Sequence, residues 1–218
     1  MARPQTLLIL TAVTLEARAI ADALGMECPK PGQPSRIARN GVSITLALTG
    51  VSARHLPGEA SGVVLTAGLA GALDPSLAVG DVVVDDWPAS LPVPPGVRRG
   101  AIHTDHQIAA TPREKAALFA QTQALAVDME NSSVREWARR QGAQFGAIRA
   151  ISDRADQTLD PAVLRLIDPW GRPKPMAIAQ TLLRHPRLIP HLMRLGRDSK
   201  TAARRLGQAI RDAIERTA

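Results

Sequence analysis

Four acidic residues in three segments mark where this chain can do chemistry. Glu16 follows the apolar run Leu7-Leu8-Ile9-Leu10, Asp128 and Glu130 lie in AVDMENSSV, and Asp153 lies in FGAIRAISDRAD. Each carboxylate falls at a strand–loop–helix junction. Open α/β sheets bind small ligands at the carboxyl ends of their strands, where loops converge and helix N-termini offer unpaired N–H groups. A carboxylate placed there can act as acid or base and has acceptor sites for two hydroxyls. Between Val63 and Val84 a Gly/Ala-rich stretch, with Gly68, Ala70 and Gly71, reads as a turn between two apolar strands, where the lack of side chains lets backbone approach a ligand. Taken singly, each acid has an ordinary reading as well. Glu130 suits the dipole of a helix N-terminus, Glu16 a solvated first turn, and Asp153 a cap or turn.

The elements that must hold these residues alternate between strand and helix, which predicts an α/β domain with a largely parallel sheet. Leu7–Leu10, Val42–Leu48, Val63–Thr66, Val82–Val84 and Gln144–Ile151 read as strands. Leu15–Leu24 repeats apolar residues at helical spacing and stops at Gly25, and Met129–Gln141 places Val134, Trp137 and Ala138 on one helical face before Gly142. Residues 86–100 hold four prolines and two glycines and read as an irregular loop bordering the site.

In this order, AGLAGALDPSLAVGD, VDME and RAISD resemble the nucleoside phosphorylase and nucleosidase superfamily, over a stretch from about Leu7 to about Asp156. The resemblance implies a single three-layer α/β domain with a central mixed, largely parallel sheet flanked by helices. It also implies cleavage of the bond between a base and a ribose. That reaction builds positive, oxocarbenium-like charge on the sugar while the base leaves with negative charge, a division of labour parallel to the two carboxyl groups of glycosidases. By resemblance, Asp153 protonates or hydrogen-bonds the purine N7, with Ser152 beside it. Glu130 accepts hydrogen bonds from the sugar hydroxyls, Met129 packs against the ring, Asp128 joins the substrate-binding set and Glu16 activates a water as general base. A free carboxyl is ionised near neutrality, so the acid role requires surroundings that favour the protonated form of Asp153. Asp81, in the VGD that follows the small residues, reads as structural.

Two departures bear on the reaction. Phosphorolytic relatives hold phosphate with an Arg before the small-residue turn and a Ser within it, where this chain has Thr66 and Leu69. Arg54, Arg98 and Arg99 can supply a cation in principle but read as solvated charges. In TDHQIA, the place of a base-stacking aromatic holds Gln107, in a chain with no Tyr, two Phe and three Trp. His103 and His106 lack a third ligand at metal spacing, so no metal is expected. No organic cofactor is implied either; water or inorganic phosphate is the co-substrate.

Length and composition set the remaining bounds. A chain of 218 residues with 45% hydrophobic content fits one domain, 1–218. No apolar run reaches the roughly 20 residues of a membrane span, and the N-terminus reads as a first strand rather than a signal. The single Cys28 permits no intrachain disulfide, and the expected location is the cytoplasm. Residues 181–218 read as a basic amphipathic helical extension: nine Arg/Lys against three Asp/Glu supply six of the net seven positive charges. Such helices either lie peripherally on the inner, anionic face of a membrane or pack on the domain. With GLAGALDP and AVDMENSSV, this tail resembles the hopanoid-associated branch of the superfamily, which implies a lipid-linked adenine nucleoside of the adenosylhopane type as substrate; the superfamily resemblance implies a homodimer. A non-enzymatic alternative is a basic protein on the same fold that binds membrane or nucleic acid. The three acids standing together and the shortage of stacking aromatics weigh against nucleic acid.

Overall fold

The computed structural model describes residues 6–105, 107–159, 166–184 and 188–216. Strand β1 (Thr6–Thr11) leads into helix α1 (Thr14–Leu24), then β2 (Ser35–Arg39), β3 (Val42–Leu48), β4 (Val63–Ala72) and β5 (Val82–Asp85). The short strands β6 (Arg98–Arg99) and β7 (Ile102–Thr104) precede α2 (Pro112–Thr122), β8 (Ala126–Asp128) and α3 (Asn131–Arg140). Strand β9 (Gln144–Asp153) and helices α4 (Pro175–Arg184) and α5 (Ile189–Glu215) complete the order.

The strands form one mixed sheet in the order β2-β3-β1-β4-β9-β5-β6, with β8 joined to the end of β4 and β7 joined to β8. β1 is parallel to β3 and β4, and β4 is parallel to β9, whereas β5 runs antiparallel to β9. The carboxyl ends of β1, β4 and β9 therefore open on one edge, the edge to which the acids were assigned.

α1 forms because Ala17, Ile20, Ala21 and Leu24 recur at helical spacing and are buried. It ends where Gly25 turns left-handed (φ 64°) and donates its N–H to Ala21 and Asp22 carbonyls. α1 and α5 cover one face of the sheet, where Ile20, Leu24, Leu206, Ile210 and Ile214 pack with Ile9, Ile44 and Leu65. α3 covers the other with Val134, Trp137 and Ala138 against Leu10 and Val64. Three layers result.

One expectation changes. The Gly/Ala stretch at 67–71 is not a turn: the chain stays extended to Ala72, because β9 pairs with it along its length and β8 takes up Gly71 and Ala72 on the other side. Of the two alternatives for the C-terminal helices, packing on the domain holds for part of α5. The second half of α5, with Ala202, Ala203, Leu206, Ile210, Ala213 and Ile214, is buried in the main core, and only its first half is open, with Met193 at 65% exposure. Arginine elsewhere on the helix stays at the surface while the apolar stripe fills the core, so one segment is both basic and integral. Among the described residues, no helix is long and apolar enough to cross a membrane.

Candidate active site

Glu16 sits in the first turn of α1 and is buried. Its Oε2 accepts hydrogen bonds from the Ala12 and Val13 N–H groups (3.1 and 3.0 Å), and its Oε1 accepts one from the Leu69 N–H (2.9 Å). The first-turn reading and the site reading are thus both realised by one side chain. Gly68 makes room for it: a Cβ there would lie 3.0 Å from Oε1. Burial pushes the Glu16 carboxyl up to about 7, helped by the charge of Glu130 and opposed by the Leu69 and Val13 N–H groups and Arg149.

Glu130 precedes α3, and its Oε1 accepts the Ser52 N–H at 2.9 Å. Ser52 and Ala53 both hold positive φ (61° and 51°) in the short turn Val51–Ala53, a costly backbone for residues with a Cβ that here aims an N–H at a carboxylate. Burial also raises the Glu130 carboxyl, with Arg149 and the Ser52 N–H acting against it.

Asp153 closes β9 where the register slips: Ala70 faces Ile151, but Gly71 faces Asp153. Ser152 is the extra residue, and such a bulge re-aims the next side chain. The Ser152 hydroxyl donates to Asp153 Oδ1 at 2.8 Å. The other oxygen, Oδ2, is 2.5 Å from the ammonium of Lys115. The Asp153 carboxyl is thus paired with a buried cation.

Asp128 lines the same cavity as these three acids. Its carboxylate borders the site but is occupied: Arg149 Nε and Nη2 reach Oδ2 at 2.8 and 2.5 Å, the Thr104 hydroxyl donates to Oδ1 at 2.9 Å and the Asn131 N–H at 3.0 Å to Oδ2. Arg149 is itself buried and anchored to the Thr66 carbonyl and hydroxyl. This pair ties β8 to β9 and to β4, so Asp128 positions Met129 and Glu130 rather than presenting free acceptor sites.

Glu16, Glu130, Asp128 and Asp153 border a single cavity of about 280 Å³ together with Met129, Ser152, Ala70 and Gly71. Its other walls are largely apolar, among them Val13, Val51, Leu69, Ile108, Ile167 and Leu195. Gly68 is not on the wall; it stands behind Glu16. Gln107 lines the cavity and His106 lies outside the described residues. Arg54, Arg98 and Arg99 are not on the wall, and none of the described wall residues is Lys or Arg. Among the described residues no group of three His, Cys, Asp or Glu is placed to hold a metal ion. Sequence reasoning missed Lys115, whose local signal is only the capping box Thr111–Glu114 with Pro112 that opens α2.

Such an arrangement can do acid–base work on a small polyhydroxylated ligand: a carboxylate with a value near neutrality, a second beside it with acceptor capacity, and a third held against an ammonium.

The family model described as the phosphorylase superfamily matches residues 89–184, the segment that holds Lys115, Asp128, Met129, Glu130, Ser152 and Asp153. No curated protein matches the sequence. Among solved structures, a Helicobacter pylori 5′-methylthioadenosine/S-adenosylhomocysteine nucleosidase is 16% identical with a TM-score of 0.66, over 99% of this chain and 100% of its own. The corresponding nucleosidase of Neisseria meningitidis is 18% identical with a TM-score of 0.66, over 97% of this chain and 99% of its own. Futalosine hydrolase of H. pylori is 17% identical with a TM-score of 0.65, over 97% and 98%. At these identities the likeness is one of fold, and it extends through α5, so the C-terminal helices are part of that fold. The segment 89–184 thus matches the phosphorylase superfamily model, and nearly the whole chain shares the fold of these nucleosidases.

Proposed function

We propose that this protein is an enzyme that hydrolyses the N-glycosidic bond of an adenine nucleoside. The observation that carries the reading is one cavity bordered by Glu16, Glu130 and Asp153 whose described wall holds no cation for phosphate. Glu130 accepts the ribose hydroxyls. Glu16, poised near neutrality, takes a proton from the attacking water as the C1′–N9 bond breaks. Asp153 meets the base at N7, where negative charge collects. The nucleosidase neighbours act on 5′-methylthioadenosine and S-adenosylhomocysteine, which supports a 5′-substituted adenosine here.

For the substrate's 5′ group we favour a large apolar one, of the adenosylhopane type. The support is the hopanoid-branch resemblance of the sequence, the apolar cavity wall, and the exposed Met176, Ile189 and Met193 on the basic α4–α5 segment, which suit peripheral contact with an anionic membrane. A homodimer is proposed from the superfamily resemblance, and sedimentation at varied concentration tests it.

The deciding experiment incubates the protein with adenosine, 5′-methylthioadenosine and 5′-alkylated adenosines of increasing chain length, with and without phosphate. Free adenine and the sugar product are read by chromatography. Release of adenine and the unphosphorylated sugar at a rate indifferent to phosphate is expected, with turnover improving as the 5′ chain lengthens. Ribose-1-phosphate as product turns the reading to phosphorolysis. No base from any substrate, alongside vesicle or nucleic-acid binding, favours the non-enzymatic alternative.

A further inference from the structure

Lys115 is among the largest fully buried side chains of the protein, at 1% exposure. Lysine is almost never buried without strong compensation. This one also sits in the first turn of α2, where the helix dipole disfavours a cation. Its Nζ is surrounded by three oxygens: Asp153 Oδ2 at 2.5 Å, the Arg154 carbonyl at 2.7 Å and the Gln157 carbonyl at 3.2 Å. Three acceptors match the three hydrogens of an ammonium, whereas a neutral amine has only two to give. Asp153 is correspondingly a carboxylate, with Lys115 on one oxygen and the Ser152 hydroxyl on the other. A carboxylate so bound can take hydrogen bonds from a base but has no proton of its own to give.

We propose that Lys115 is the positioning residue through which Asp153 delivers a proton to the leaving base. The inference rests on the nucleosidase reading above. As the bond between C1′ and N9 breaks, its electron pair goes to the base. Asp153 takes a proton from the Lys115 ammonium and passes one on to N7, leaving a neutral amine that is reprotonated from solvent after the base departs. Glu16 meanwhile holds the proton lost by water and returns it to solvent, so one proton is taken up and one released per turnover. The Arg154 and Gln157 carbonyls keep the lysine aimed at Oδ2 throughout.

A merely structural lysine, anchoring the 154–157 loop, makes a different prediction from a proton-supplying one. The probes are 5′-methylthioadenosine, or whichever adenine nucleoside of the panel the wild type cleaves best, and 4-nitrophenyl β-D-riboside, whose nitrophenolate leaves without a proton. For Lys115→Met, kcat on the nucleoside should fall about 100-fold or more with KM within about threefold, while kcat on the nitrophenyl riboside stays within about threefold. Lys115→Arg keeps the cation but releases its proton reluctantly, so it should show the same selective loss. If Lys115→Met does not fold, Lys115→Arg decides alone. Equal losses on both probes in a folded variant, or unchanged nucleoside turnover, overturn the proposal. A wild type that releases base from no nucleoside fails the nucleosidase reading itself, and this inference with it.

Discussion

Gly71 faces Asp153 across the bulge between β4 and β9, so closely that a methyl group on it would lie 2.9 Å from Oδ2, the oxygen already held by Lys115. Gly68 stands in the same relation to Glu16 Oε1, at 3.0 Å. The two glycines lie three residues apart on one strand, and each leaves the space that a carboxylate occupies.

Substituting them separates the two acids. In Gly71→Ala the carboxylate cannot swing away without leaving the Lys115 ammonium unpaired, so kcat should fall about 100-fold, as for a displaced catalytic group. Gly68→Ala asks Glu16 to give by only a few tenths of an ångström, and a loss of about tenfold is expected. Steady-state kinetics on one nucleoside, with melting curves to confirm folding, checks the order; a larger loss at Gly68 would contradict it.

Activity should follow the ionisation of Glu16. As general base it works only when ionised, so kcat/KM should rise with unit slope below about 7 and level off above. Glu16→Gln should lower kcat by about 10² to 10⁴ and remove that limb. Because the Glu130 charge helps raise Glu16, Glu130→Gln should move the residual limb to lower pH.

Stability responds with the opposite sense. The folded value of about 7 exceeds the reference 4.5, so the folded state keeps a proton that the unfolded chain has released. The contribution of Glu16 is complete below about 4.5 and is lost as pH rises through about 7, by at most ~3 kcal/mol. Urea unfolding between pH 5 and 8 should show stability declining with pH over this window more steeply in the wild type than in Glu16→Ala.

The sequence made the strand ends and the acids legible because both are local: an apolar run, then a carboxylate, then a helical pattern. Gly68 and Gly71 were visible as small residues, but their purpose was not. In an extended strand they give space to side chains from α1 and β9, partners distant in sequence. Lys115 was invisible for the same reason, since 38 residues separate it from Asp153 and its own neighbourhood reads as an ordinary exposed helix start. Asp128 borders the cavity as its motif suggests, but a motif shows which residues border a ligand and not which oxygens are already taken. The apolar spacing of Leu206, Ile210 and Ile214 announced a buried face but not whether lipid or α1 buries it.

The Arg149–Asp128 pair should behave as a buried ion pair whose halves cannot be lost separately. Arg149→Met leaves the Asp128 carboxylate buried without its cation and should cost about 3–5 kcal/mol. The double variant Arg149→Met/Asp128→Leu should cost less than the sum of the two single changes, a coupling that denaturant melts can measure. The arginine also lowers both Glu16 and Glu130, so milder changes that preserve folding, such as Arg149→Lys, should shift the acid limb of kcat/KM to higher pH if they weaken its charge at the site.

α5 supplies the last prediction, because its two halves meet different surroundings. Leu206→Ala removes a side chain with no exposure from the core shared with α1 and should cost about 2–5 kcal/mol. Gly207→Ala is worse placed than its size suggests: the new Cβ would meet the Ala19 carbonyl oxygen, a backbone atom of α1 that cannot step aside, so the helices must part at a cost of about 1–3 kcal/mol or more. Met193→Ser, on the open half, should change stability by no more than about 0.5 kcal/mol. If the open half meets an anionic membrane, the same Met193→Ser should weaken sedimentation with phosphatidylserine vesicles at low salt while leaving cleavage of a short-chain nucleoside unchanged. Retention of full vesicle binding in Met193→Ser and Ile189→Ser together would remove that surface as the point of contact and leave α5 a core helix whose remaining arginines serve solubility alone.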